Sequence, residues 1–442
     1  MSAPPPYEVL GSGTYGCIVE PALKNVGENS VKPGYVSKVF FNSVNAKGNK
    51  IQSKNVARKA ITNNSRLGTY GILRTVHPYR RTFTAENADM AQIAKLNGNP
   101  CRIQPTNANI GVIRMPNLGV DIYRVYDAFV NKSNPDLLHV IQGLPLLDLL
   151  EKGVKPVFET IQALRRNGRL HMDIKMENIM VQPYTGEMRI IDYDLEGPDE
   201  NIIRLKLGDE HLVNYPPESI LWRKGTVTDE SYDAWFNQMR TIDEIFAVDG
   251  RPLEYATLQR IIADIVSTPE DNKKILEEYL KGGDKKTMYS VDTLDSYCTA
   301  VSLLIFFCVY LNCDKNWPTY STYLNPLLGG ILTPMMMFKI EDRISIDVAI
   351  ARVNALLRAM KAAAAKEAAA AGLTTPKSKK NPGSSLVIPR TPVKQSRSNF
   401  LKSIGRAPAD DRSYKKRGPS VAGGTRKKLK SVRRTKKGRR RA

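Results

Sequence analysis

The stretch RLHMDIKMENIMVQPYTGEMRIIDYDLEG, residues 169–197, constrains this chain more than any other. Within it His171, Asp173, Lys175 and Asn178 form the pattern HxDxKxxN. Such a loop offers one carboxylate to accept a hydroxyl proton, one ammonium to neutralise phosphate and one amide to hold a metal, which is what phosphoryl transfer asks of a protein. Two short apolar runs follow, Ile179 to Val181 and Met188 to Ile191, joined by Pro183, Tyr184, Thr185 and Gly186. Apolar runs separated by turn residues predict a β-hairpin. Its second strand delivers Asp192 back beside the first loop, where it and Asn178 can share a magnesium ion. Taken singly, His171 could be a core histidine and the acids a solvated turn. The spacing of the whole set, with a hairpin between its halves, argues against that.

The pattern resembles the catalytic core of eukaryotic-type protein kinases, with their HRDxxxxN and DFG signatures. Two positions depart from it: Met172 stands at the usual Arg, and Asp194 at the usual Gly, giving DYD for DFG. The resemblance implies an α+β, two-lobed fold with a small β-rich lobe and a large helical lobe, and it implies ATP and Mg2+ as cofactors. Asp173 would orient and deprotonate the substrate hydroxyl, Lys175 would stabilise the transferring phosphoryl, and Asn178 and Asp192 would hold magnesium. Lys175, two places after the base, resembles serine/threonine rather than tyrosine kinases. In many kinases the Arg at position 172 reads a phosphorylated activation loop. Met172 therefore implies activity that does not depend on such a phosphate.

The flanking sequence supplies further parts in the family's order. YEVLGSGTYGCIV, residues 7–19, holds Gly11, Gly13 and Gly16 as GxGxxG. A dinucleotide turn would open a helix after the last glycine, whereas Cys17, Ile18 and Val19 continue as a strand. The glycines thus read as a hairpin lid whose backbone approaches phosphate, with Gly11, Ser12, Gly13, Gly16 and Ile18 against the nucleotide. Lys38 in YVSKVFF sits in an apolar alternation, where an inward lysine needs an anion, and the family's strand lysine binds the α and β phosphates. The segment TAENADMAQIAKL reads as a helix. The family's partner for Lys38 lies on it, and either Glu86 or Asp89 fits. Ile110 to Met115 reads as a strand leading into a hinge, PNLGVDI, that would meet adenine. Asp121 beyond it could approach a ribose or cap a helix.

Farther on, VKPVFETIQALRRNG, residues 154–168, has helical spacing and stops at Gly168. YPPE, Tyr215 to Glu218, is similar to the APE motif closing an activation segment, and the family pairs that Glu with a buried Arg, here Arg343. LDSYCTAVSLL matches the central helix of the large lobe, with Asp295 bracing the catalytic loop. On this reading the small lobe spans 1–117 with a basic insertion at about 42–85. The large lobe spans 118–372 with an insertion at about 222–290, and Asp347 to Ala371 is a long helix.

The 442 residues carry a formal charge of +22, unevenly spread. Residues 373–442 hold 23 Lys and Arg against Asp410 and Asp411, leaving +1 for everything before them. With few large apolar residues, this tail is expected to be disordered. Its end, RKKLKSVRRTKKGRRR, could neutralise nucleic-acid phosphates; a nuclear import signal or a solubilising extension are the other readings. Thr375-Pro376 and Thr391-Pro392 look like kinase acceptor sites that would loosen that grip. Five cysteines without CxxC spacing point to a reducing compartment. No basic-then-apolar leader opens the sequence. The apolar run Tyr297 to Leu311 is short of a bilayer span and reads as a buried helix, so no membrane partner is expected. The short catalytic region, DYD, YPPE and basic tail look most like serine/threonine kinases of large cytoplasmic DNA viruses, which implies a virion or the host cytoplasm or nucleus. The alternatives are a pseudokinase scaffold and a nucleic-acid-binding virion protein using the tail.

Overall fold

Glu8–Gly13 (β1) and Gly16–Glu20 (β2) pair antiparallel, with Gly13 opposite Gly16, so a strand and not a helix follows the last glycine of GxGxxG. Tyr35–Phe40 (β3), Thr82–Phe83 (β4) and Val112–Pro116 (β5) complete an antiparallel sheet in the order β1-β2-β3-β5-β4. The computed structural model describes residues 8–13, 16–23, 34–40, 43–44, 50–51, 82–83, 111–193, 196–198, 215–218, 269–281, 293–311 and 316–370, with six isolated positions between 55 and 69. Two compact units divide the chain, residues 1–407 and 408–442. All described residues belong to the first, and the tail expected over 373–442 lies outside them.

Register aligns Ile18, Lys38 and Ile113 across three strands. Val36, Ser37, Val39 and Phe40 are buried, and Lys38 is only half-buried among them. A Cβ on Gly16 would stand 2.2 Å from the Val39 carbonyl oxygen, so β2 can lie on β3 only because residue 16 is glycine. That is a packing reason for this glycine, separate from any approach to phosphate.

The chain leaves the sheet at Pro116 and joins a three-stranded one at Val120–Asp121 (β6). Asn117 fastens the crossing: its N–H donates to the Gly34 carbonyl, its amide to Glu20 Oε1 at 2.9 Å, and its Oδ1 accepts from the Gly119 N–H. Asp121 then caps Ile122–Asn131 (α1), accepting from the Arg124 N–H at 2.8 Å, the capping role that was one of the two the sequence left open to it. Burial pushes its carboxyl above the usual range, with the Arg124 charge opposing.

A helical body follows: Pro135–Gln142 (α2), Lys155–Arg166 (α3), Pro269–Lys281 (α4), Leu294–Leu311 (α5), Asn316–Leu327 (α6) and Ile346–Ala370 (α7). The helix expected from residue 154 has a longer front, because a π-helical segment, Leu149–Val154, runs into α3. Pro156 explains the widening: it has no N–H to give an α-turn and its ring crowds the preceding carbonyl. The same arrangement recurs at Leu328–Leu332, just before Pro334.

All 18 residues of α5 are buried, packed by α1, α2, α3 and α6. Leu67 and Leu276 belong to the same core, each 0% exposed. Single residues of both expected insertions thus pack into the main core. Cys298 and Cys308 are buried, and burial drives the Cys298 thiol well above its ordinary value. Cys17 departs from the expectation of fully reduced cysteines: it is disulfide-bonded, to a partner outside the described residues. Its side chain is buried on β2.

Candidate active site

The loop after Arg169–Leu170 (β7) is fixed from below by Asp295 at the start of α5. Its Oδ2 accepts the His171 N–H at 2.7 Å and its Oδ1 the Met172 N–H at 3.0 Å. Burial raises the Asp295 carboxyl above its ordinary range, against the pull of His171 and of those two N–H groups. His171 is itself fully buried. One ring nitrogen meets the Ile191 carbonyl at 3.0 Å, and the ring packs against that of Tyr193, centroids 4.6 Å apart. The histidine is thus a core residue and also the strut between the loop and the segment carrying Asp192.

Asp173 follows on the rim of the loop. Lys175 Nζ lies 3.2 Å from its Oδ2, and Asn178 donates to the same oxygen at 3.1 Å and to the Asp173 backbone carbonyl at 2.7 Å. Both side-chain bonds fall on Oδ2, leaving Oδ1 as the oxygen that can accept a proton. Asn178 has both its amide hydrogens on Asp173, which leaves its own carbonyl oxygen as an acceptor.

The hairpin expected after Asn178 is present, Ile179–Val181 (β8) against Met188–Ile190 (β9), with Gly186 turning at φ 72°. It returns the chain so that the Ile191 N–H donates to the Asn178 carbonyl at 2.9 Å. Asp192 comes next, and its Oδ1 lies 3.3 Å from Lys38 Nζ, across 154 residues of sequence. Lys38 has 17% of its side chain exposed and also lies over the Phe40 ring. The structure therefore gathers Asp173, Lys175, Asn178, Asp192 and Lys38.

Other expected positions fall around or outside this group. Gly11, Ser12 and Gly13 are in β1, and Gly16 and half-buried Ile18 in β2, on the sheet that carries Lys38. Half-buried Met115 pairs with Val36 near the end of β5. Glu86, Asp89 and Asp194 lie outside the described residues, so the structure leaves Glu86 and Asp89 as alternatives. Glu218 and Arg343 form a buried bidentate pair at 2.6 and 2.8 Å, 125 residues apart. Burial alone would lower the Arg343 guanidinium; the Glu218 charge and bonds outweigh it and hold it above its ordinary value.

Two contacts around the site are not legible in motifs. The Tyr215 hydroxyl donates to the Met172 carbonyl at 2.9 Å, so the tyrosine of YPPE reaches the loop as well as the glutamate reaching Arg343. Arg169 forks onto Glu196, joining β7 to Gly197–Pro198 (β10). The one sequence signal is a pair of opposite charges just outside the two motifs.

Chemically, the group pairs a half-open carboxylate with a second carboxylate, two ammonium groups and an amide oxygen. Among the described residues no group of three or more His, Cys, Asp or Glu is gathered to hold a metal. The donors at hand are instead the Asp192 carboxylate and the Asn178 oxygen, a small hard-oxygen set. Such a set suits an ion that keeps several waters and leans on substrate phosphates, as magnesium does, better than one needing a full protein cage. No protein-family model and no curated protein matches the chain.

Proposed function

We propose that this chain is an ATP- and Mg2+-dependent protein serine/threonine kinase with a two-lobed kinase fold, transferring the γ-phosphoryl of ATP to a protein hydroxyl. The observation that carries the reading is the 3.3 Å ion pair of Lys38 with Asp192, beside the Asp173–Asn178 bond. Residues from a glycine-hairpin sheet and from two ends of a hairpin meet with the charges this reaction needs.

Asp173 Oδ1 accepts the proton of the acceptor hydroxyl as that oxygen attacks phosphorus. Asn178 and Lys175 hold the other carboxylate oxygen and so aim the first. Lys175 also sets a positive charge where the transferring group gathers negative charge. Lys38 reaches the α and β phosphates from beneath the glycine strands, and the end of β5 at Met115 offers its backbone to adenine. Asp192 and the Asn178 oxygen would hold magnesium, which would supply positive charge against the phosphates. The wholly buried pair Glu218–Arg343 and the brace from Asp295 serve as structural parts.

The overall resemblance to enzymes of large cytoplasmic DNA viruses gives a virion or infected host cell as the expected location. Residues 373–442, at a net +21, are assigned contact with nucleic acid.

The test is transfer of labelled γ-phosphate to a general acceptor protein. Transfer to serine or threonine that needs magnesium and drops by about 10²-fold or more in Asp173→Ala supports the assignment. No transfer by the wild type, or undiminished transfer by the variant, overturns it.

A further inference from the structure

Two site residues hold left-handed backbone without being glycine: Met172 at φ 65° and Asp192 at φ 64°. Such a conformation strains an L-residue and persists where the surroundings over-determine it. For Met172 those surroundings are plain, since Asp295 takes its N–H and Tyr215 donates to its carbonyl. Asp192 is held ahead, where Ile191 meets His171 and Asn178, and just behind, where Tyr193 stacks on His171.

Beyond Tyr193 the chain is fastened by a contact that phosphoryl transfer does not itself use. Arg169 Nε and Nη2 bond the two oxygens of Glu196, the second at 3.0 Å. The Glu196 side chain is 0% exposed and that of Arg169 15%. Pro198 pairs with Arg169 and Gly197 with Leu170 in the strands beside them. A desolvated, bidentate guanidinium–carboxylate pair is the strong kind, and losing one partner strands the other's charge.

We propose that Arg169 and Glu196 are positioning residues, a built-in clamp that holds the turn after Asp192 in its working place without any phosphate on the chain. The clamp acts through the three residues that link Asp192 to Glu196. Residue 172, where the kinase pattern puts an arginine that reads a phosphate, is an apolar side chain 2% exposed. Glu196 supplies a permanent anion in place of a phosphate, and Arg169 supplies the cation from the strand before His171. The inference rests on the kinase reading for its effect on rate, while the anchoring is measurable without catalysis.

The experiment compares the full-length wild type with Arg169→Ala, Arg169→Lys and Glu196→Gln by hydrogen exchange and by phosphate transfer. In the Ala and Gln variants, peptides covering residues 191–198 exchange about tenfold faster or more, while those of α5 keep wild-type rates. Arg169→Lys, which keeps the charge and loses the fork, falls between. In the transfer assay kcat falls about tenfold or more, KM for the acceptor protein stays within about twofold, and phosphatase treatment of the wild type changes neither. Wild-type exchange at 191–198 in the Ala and Gln variants, or loss of wild-type transfer after phosphatase treatment, overturns the clamp. If the alanine variant also loses protection in α5, the lysine variant decides by the same peptides. A wild type that transfers no phosphate sinks the kinase reading, and exchange alone then judges the clamp.

Discussion

Asp295 is a single carboxylate on which the geometry of the reactive loop hangs, because both its oxygens are committed to consecutive backbone N–H groups. Asp295→Asn keeps one acceptor and strands one N–H, so a loss of about 1–3 kcal/mol is expected at neutral pH. The difference should depend on pH in a fixed direction. Burial raises the carboxyl in the folded state above its ordinary value, so the folded protein binds the proton more tightly than the unfolded one. The stability gained by that proton is complete below about pH 4 and is lost as pH rises through the folded value. Denaturant midpoints measured from pH 7 down to 4 should therefore show the wild type gaining on the Asn variant; a constant gap would contradict the burial argument. At this scale much was readable from sequence. Asp173, Lys175 and Asn178 lie within one short loop, so spacing alone gave their grouping. The Arg169–Glu196 pair was not readable, because it depends on the register between two strands 27 residues apart, and no local spacing encodes that.

Between elements, the tightest joints are a glycine and an ion pair. Gly119 has φ 99°, and a Cβ there would stand 2.1 Å from the Val181 carbonyl oxygen, where the crossing chain passes over β8. Gly119→Ala should cost about 1–3 kcal/mol from crowding on top of about 1–2 kcal/mol of backbone strain. Gly34 is the control: its φ is 73° with nothing within 4 Å, so Gly34→Ala should cost only the backbone part. Equal losses in chemical denaturation would refute the close approach. Arg343→Met leaves Glu218 buried and unpaired and should cost about 3–5 kcal/mol, whereas the double change Glu218→Leu/Arg343→Met should cost far less. Thermal denaturation of the three proteins separates these outcomes without any enzymatic assay. The hairpin from Ile179 to Ile190 was legible from apolar runs and turn residues, α5 from its long apolar run and α7 from its alanine content, whereas α4 and α6 were not anticipated. The widened turns at Leu149–Val154 and Leu328–Leu332 were not, since a π-turn inserts a residue without disturbing the apolar stripe enough to announce itself. Pro156 and Pro334 are the only marks they leave in the sequence.

For the molecule as a whole, charge and apolarity are each concentrated in a separate stretch of the chain. Nearly all of the net +22 lies in residues 373–442, so binding to nucleic acid should vanish on truncation after Gly372. With about 6–10 phosphates contacted, affinity should fall by about 10³–10⁵ between about 50 and 200 mM salt. Retained, salt-insensitive binding by the truncated protein would exclude the tail as the contact. Composition made the tail legible; it could not reveal that Leu67 and Leu276, in stretches that looked like insertions, fill the main core, because a lone leucine carries no address. The opposite extreme is α5, 18 residues apolar enough to cross a bilayer and entirely enclosed by protein. During synthesis that helix emerges from the ribosome after α1, α2 and α3 and before α6 and α7. Until those arrive the nascent chain displays a segment that membrane-insertion machinery and chaperones both recognise, so the order of translation, as much as the final packing, decides whether this protein reaches its folded state.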